Sequence, residues 1–86
     1  MITLDELVRV ARLAPSVGPF TLRRLFLRVR VFASGTYSAE QVRTALPEIQ
    51  RELREILSPG DYVAAVQGID ALLEREDRLA GQAVRT

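Results

Sequence analysis

The sequence predicts an all-α domain with a helix-turn-helix-like N-terminal half and a C-terminal antiparallel αα-hairpin. Three observations carry this prediction. Two segments open with a helix-capping motif, apolar residues recur every three or four positions along most of the chain, and segments rich in Pro and Gly separate these stretches. The 86 residues fit one domain, residues 1–86, made of a half at 1–44 and a hairpin at 45–86.

The first helix is predicted from a capping box, in which the side chains of Thr3 and Glu6 each accept a hydrogen bond from the backbone amide of the other residue. One apolar face follows, formed by Leu4, Leu7, Val8 and Ala11. We expect this helix to end near Ala14, because Pro15 disfavours helical backbone in the residue before it. Residues 14–19 hold two prolines and a glycine, a composition typical of a turn.

Residues 20–32 fit two patterns. As a helix capped by Thr21, with Phe20 packed over its start, they bury one apolar face: Leu22, Leu25, Phe26, Val29 and Phe32. If residues 25–31 instead form one short strand, apolar residues lie on one face and arginines lie on the other. A helix that continues into an extended tail is a third interpretation. We favour the helix, because a lone strand would find a partner only in a second copy of the chain.

The C-terminal half is predicted as two helices joined by a short turn. A second capping box, Ser38 with Gln41, opens the first of them, and Pro47 is expected to kink or break it. Ser58 and Pro59 open the second. Both helices carry a heptad-like apolar seam that we expect to bury between the protomers of a homodimer. The predicted dimer interface consists of Leu46, Ile49, Leu53, Ile56, Tyr62, Val66, Ile69 and Leu73.

The composition argues against catalysis. His, Cys and Lys are all absent, which removes the usual general bases, thiol nucleophiles and Schiff-base amines. We therefore predict no enzyme, no metal site and no cofactor. Charge is uneven: residues 1–43 carry seven arginines and three acids, whereas residues 44–86 carry five arginines and eight acids. This asymmetry favours an anionic partner for the N-terminal half.

The arginines of residues 20–32 are the candidate binding residues. If Thr21 caps a helix, Arg23 and Arg24 occupy its first turn, where a cation opposes the helix dipole. A DNA phosphate or guanine edge at this turn would explain them, and the alternative is that both are simply solvated. The predicted nucleic-acid-binding residues are Thr21, Arg23, Arg24, Arg28 and Arg30.

The order of these parts resembles the MerR-type winged helix-turn-helix and the related excisionase-like DNA-binding modules. Three stretches within residues 2–46 carry the resemblance: ITLDELVRVARLAPS, TLRRLF and GTYSAEQVRTAL. It implies a recognition helix that begins at Thr21. The chain departs from the pattern in a longer first turn, with residues 17–19 as the addition, and in a nearly absent wing. A strand at 25–31 would instead be similar to the ribbon-helix-helix layout.

The predicted function is a small, cytoplasmic, non-catalytic DNA-binding regulator that acts as a homodimer. The alternative is a helical protein-interaction module, such as an adaptor, an assembly factor or a phage or plasmid accessory protein, that binds no nucleic acid. Exposure of Leu27 and Val31 would favour a protein partner, whereas their burial beside a common arginine surface would favour DNA. No membrane partner is expected, since no apolar run approaches about 20 residues and the N-terminus lacks a signal-peptide pattern.

Overall fold

The computed structural model describes the backbone of residues 1–84 and the side chains of residues 1–81, and it confirms the mainly α-helical class. Two very short strands form an antiparallel pair that the sequence did not predict. In chain order the elements are β1 (Ile2–Thr3), α1 (Leu4–Val10), α2 (Gly18–Arg28), β2 (Thr36–Tyr37), α3 (Ala39–Ile56) and α4 (Pro59–Val84).

The strand pair joins the start of the chain to the start of α3. Ile2 lies opposite Tyr37, and the amide of Leu4 donates to the carbonyl oxygen of Gly35 at 3.0 Å. Gly35 adopts a φ of 104°, a conformation that glycine adopts at little cost. The strand considered at residues 25–31 is not formed, because α2 continues to Arg28.

α2 begins earlier than the sequence predicts. Its N-cap is Val17, and Pro19 lies in the first turn. Because amides in the first turn have no acceptor within the helix, the absence of an N–H at Pro19 costs no hydrogen bond. Gly18 allows this end to approach α1, since a Cβ at Gly18 would lie 2.8 Å from Cγ1 of Val8. Thr21 is therefore inside the helix, and the prediction that it is the N-cap is wrong.

Both predicted capping boxes are confirmed. Thr3 and Glu6 exchange side-chain-to-backbone hydrogen bonds of 3.0 and 3.1 Å, and Ser38 and Gln41 do the same at 2.9 and 3.1 Å. α1 is shorter than predicted, since it ends at Val10 rather than near residue 14. α3 runs through its internal proline from residue 39 to residue 56, so of the kink or break predicted at Pro47, the break is not formed.

α3 and α4 form the predicted antiparallel hairpin. Arg43 near the start of α3 pairs with Asp77 far along α4, and Arg54 near the end of α3 donates to the Tyr62 hydroxyl at 3.3 Å. The turn between the helices is stabilised by Ser58, whose hydroxyl accepts from the amide of residue 61 at 3.3 Å. No helix in the part of the chain described is both long and apolar enough to cross a bilayer.

The core lies between α1, α2 and the hairpin, and it contains half of the residues of the predicted dimer interface. Ile49, Leu53, Ile69 and Leu73 are buried within the single chain, so they are not available to a second protomer, and this part of the interface prediction is wrong. α1 and α2 cover the face that the sequence assigned to a partner. Leu46, Tyr62 and Val66 are half-buried, and Ile56 is exposed.

Candidate functional site

The outward side of α2 is both apolar and basic. Leu22, Leu25 and Phe26 are buried on the inner side, which leaves Phe20 and Leu27 exposed at 70% and 54%. These two residues are seven positions apart, so they share one side of the helix about 10 Å apart along its axis. Arginines lie between and beside them. We call this surface the α2 face, and it comprises Phe20, Arg23, Arg24, Leu27 and Arg28.

A shallow groove extends the α2 face towards β2. Phe32 at its edge is the most exposed large apolar side chain of the chain's described part, at 73%. The groove is lined by Arg23, Leu27, Val31, Phe32, Ala33 and Tyr37. The apolar surface of α2 therefore continues past the end of the helix into the following loop.

The turn that ends α2 places Phe32 in solvent. Arg30 adopts a left-handed φ of 60°, its amide donates to the carbonyl oxygen of Leu27 at 3.0 Å, and the amide of Val31 donates to that of Phe26 at 2.9 Å. These two bonds form a Schellman motif, which satisfies the last carbonyls of the helix and reverses the chain direction. The prediction that Phe32 belongs to the buried face is wrong for this reason.

Two arginines of the α2 face are paired with α3. The guanidinium of Arg24 lies 3.5 Å from the carboxylate of Glu52, and that of Arg28 lies 3.8 Å from the carboxylate of Glu48. The order of these pairs shows that α2 and α3 run antiparallel. Both arginine side chains are more than half exposed, and ion pairs of this kind contribute at most about 1 kcal/mol. The arginines are therefore held near α3 only loosely.

Arg23 and Arg30 are exposed, and within residues 1–84 neither has a carboxylate within the 4.0 Å that defines an ion pair. Arg23 lies close enough to Tyr37 for its charge to act on the phenol. Burial raises the pKa of Tyr37 from its usual 10.0, and Arg23 partly opposes that change. Tyr37 is therefore neutral at physiological pH. Its ring stacks on that of Phe26, with 3.9 Å between the ring centroids.

The structure separates the predicted nucleic-acid-binding residues. The Thr21 hydroxyl donates to the carbonyl oxygen of Val17 at 3.1 Å, and Arg23 and Arg24 lie beyond the first turn of α2, where the dipole argument for an anion no longer applies. Arg23 lines the groove, Arg24 and Arg28 lean towards α3, and Arg30 follows the helix. The five residues do not form one continuous basic surface.

Sequence reasoning missed Phe20 as a surface residue, since its position before Thr21 suggested that it packs over a helix start. A signal for it was present. Phe20 and Leu27 are seven positions apart, with Arg23 and Arg24 between them, and this spacing places apolar and basic side chains on the same face of a helix.

A second charged cluster joins α1 to α4. Arg75 donates to both carboxylate oxygens of Glu6, at 3.0 and 3.2 Å. Glu76 accepts from the amino group of Met1 and from Arg75. Among the residues described, no group of three or more His, Cys, Asp or Glu side chains is arranged to hold a metal ion. The cluster is explained as a link between two helices of the scaffold.

Comparison with known proteins finds no match: no family model, no curated protein and no solved structure is significantly similar to this chain. The resemblance to winged helix-turn-helix modules therefore stays a prediction.

Proposed function

We propose that this protein is a non-catalytic protein-interaction module whose α2 face binds an acidic amphipathic helix of a partner. The observation that carries the proposal is the exposure of Phe20 and Leu27 on one side of α2. Large apolar side chains at this spacing match the apolar stripe of a partner helix. Covering both would contribute about 2–4 kcal/mol before the cost of association.

The charges around these residues indicate the chemistry of the partner. Arg23 and Arg30 are exposed and have no ion pair within residues 1–84. Arg24 and Arg28 would exchange their weak pairs with α3 for a partner's carboxylates at little cost. A basic rim around an apolar centre speeds association with an acidic partner and makes binding sensitive to salt.

The proposal is tested by fluorescence anisotropy with a labelled probe helix. The probe is an Ala-based peptide of about 15 residues, with two leucines seven positions apart and glutamates beside them. We expect the wild-type protein to bind it more tightly than the same peptide with glutamine in place of glutamate. Equal binding of the two peptides would contradict the basic-rim argument.

A paired variant tests the apolar centre. Phe20→Ser combined with Leu27→Ser should weaken probe binding at least tenfold, which corresponds to about 1.4 kcal/mol. The matched control is Leu79→Ser, because Leu79 is also 52% exposed but lies on α4. The control should bind the probe as the wild type does. Unchanged affinity of the double variant would rule out the α2 face as the binding surface.

DNA binding by a homodimeric regulator, the function first predicted from the sequence, is the second candidate. It is supported by the exposure of Arg23 and Arg30, whose charges are not compensated by ion pairs within residues 1–84. Titration of duplex DNA at several salt concentrations tests it. Affinity should fall steeply with salt, and Arg23→Ala with Arg24→Ala should reduce the log-log slope by about 2. Phe20→Ser with Leu27→Ser should leave that slope unchanged.

A further inference from the structure

The outward side of α4 is acidic where the α2 face is basic. Val63 is 56% exposed, and Asp70 and Glu74 follow it at intervals of seven and four residues on the same side of the helix. Within residues 1–84 neither carboxylate has a basic group within 4.0 Å, and Arg78, one turn beyond Glu74, does not pair with it. We call this surface the α4 face, and it comprises Val63, Gln67, Asp70 and Glu74.

The opposite side of α4 is buried in the core, which fixes the outward direction of this surface. The buried residues are Ala65, Ile69 and Leu73. Since these residues hold α4 against α1 and α3, the α4 face is presented to solvent by a helix that cannot rotate without breaking the core.

The two faces bring opposite charges together when the helices run parallel. With Phe20 of one copy against Val63 of another, Arg28 lies about 12 Å along α2 and Asp70 lies about 10 Å along α4, a difference that an arginine side chain spans. In this alignment Phe20 meets Val63, Arg28 can reach Asp70, and Leu27 lies at the level of Asp70.

We propose that the α2 face of one copy binds the α4 face of a second copy, so that the protein self-associates head to tail. This inference rests on the α2 face of the proposed function and identifies its partner as another copy of the same chain. The opposite charges of the two halves of the sequence, +4 in residues 1–43 and −3 in residues 44–86, agree with it. Because different surfaces meet, the contact generates rings or open chains rather than an isologous dimer.

Sedimentation velocity of the full chain is the first test. The contact between single helices is small, so association should be weak and should appear as the protein concentration is raised from about 1 μM to about 1 mM. The sedimentation coefficient should rise with concentration and fall when salt is added. A wild-type protein that stays monomeric over this range overturns the inference. Probe-helix binding then decides separately whether the α2 face binds any acidic helix.

Two complementary variants give the sharper test. Phe20→Ser with Leu27→Ser disables the α2 face, and Asp70→Arg with Glu74→Arg disables the α4 face. Each variant alone should weaken self-association at least tenfold. When they are mixed, the intact α2 face of the second should bind the intact α4 face of the first, giving a 1:1 dimer that cannot grow.

Circular dichroism and a thermal melt show that both variants are folded before they are mixed. Arg9→Glu is the matched charge-reversal control, since Arg9 is exposed on α1, outside both faces, and has no carboxylate within 4.0 Å among the residues described. It should associate as the wild type does. Failure of the folded variants to form a dimer on mixing overturns the head-to-tail arrangement. Growth of the mixture beyond a dimer would overturn it as well.

Discussion

Glu6→Gln should destabilise the fold in a pH-dependent way. The Glu6 carboxylate accepts two hydrogen bonds from Arg75 and one from the amide of Thr3, at 3.0–3.2 Å. The Arg75 hydrogen bonds are the largest cause of a lowered Glu6 pKa, the Thr3 amide adds to the effect, and burial partly opposes it. The result is a pKa of about 2 in place of 4.5.

The size of the effect follows from the difference in proton affinity between the folded and unfolded chains. A fall of the pKa from 4.5 to about 2 corresponds to at most about 3–4 kcal/mol, since one pKa unit is worth about 1.4 kcal/mol. Because 30% of the Glu6 side chain is exposed to solvent, we expect about 1–2 kcal/mol. The lowered pKa means that this stability is present above pH 4.5 and is lost as the pH falls towards 2.

Urea unfolding of wild type and Glu6→Gln at neutral pH and at about pH 3 measures this difference. At about pH 3 the destabilisation should be less than half of its neutral value. Glu55→Gln is the control, since Glu55 is exposed on α3 and has no ion pair within residues 1–84; its effect should be small at both pH values. An equal destabilisation by Glu6→Gln at both pH values would show that the ionised Glu6 carboxylate does not stabilise the fold.

Two further predictions concern the scaffold that presents the α2 face, and both are checked by urea unfolding. Arg30→Gly should stabilise the protein by about 0.5–1 kcal/mol, because glycine relieves the left-handed backbone at the end of α2, whereas Arg30→Val should destabilise it. Leu53→Ala should cost about 2–5 kcal/mol, since Leu53 is fully buried. Ile56→Ala should cost less than about 1 kcal/mol, because Ile56 is half exposed. Equal losses for these two alanine variants would contradict the assignment of the seam to the core of the single chain.

Features that depend on neighbours in the chain were predictable from the sequence. Thr3 with Glu6 and Ser38 with Gln41 form hydrogen bonds that span only three residues, so no distant contact is needed to define these helix starts. The hairpin was predictable for a similar reason, since a short turn between two amphipathic helices leaves few other arrangements.

The candidate surface depended on contacts that the sequence pattern does not contain. Gly18 packs against Val8 and begins α2 before Thr21, which removes the first-turn argument for a DNA contact at Arg23. The Schellman turn at Arg30 exposes Phe32, although its spacing suits a buried face. Left-handed backbone at an arginine carries little sequence signal, because glycine is the usual residue there.

The sequence by itself determined the capped starts of α1 and α3 and the apolar seams of the hairpin, because these follow from spacing and from hydrogen bonds between close neighbours. Only the tertiary structure decided which seam is covered and which helix face stays open. Ile49 and Leu53 look like a dimer interface in a heptad pattern, yet α1 and α2 of the same chain cover them. A periodic pattern specifies that a face must be buried, but the element that buries it is chosen by packing across the whole chain.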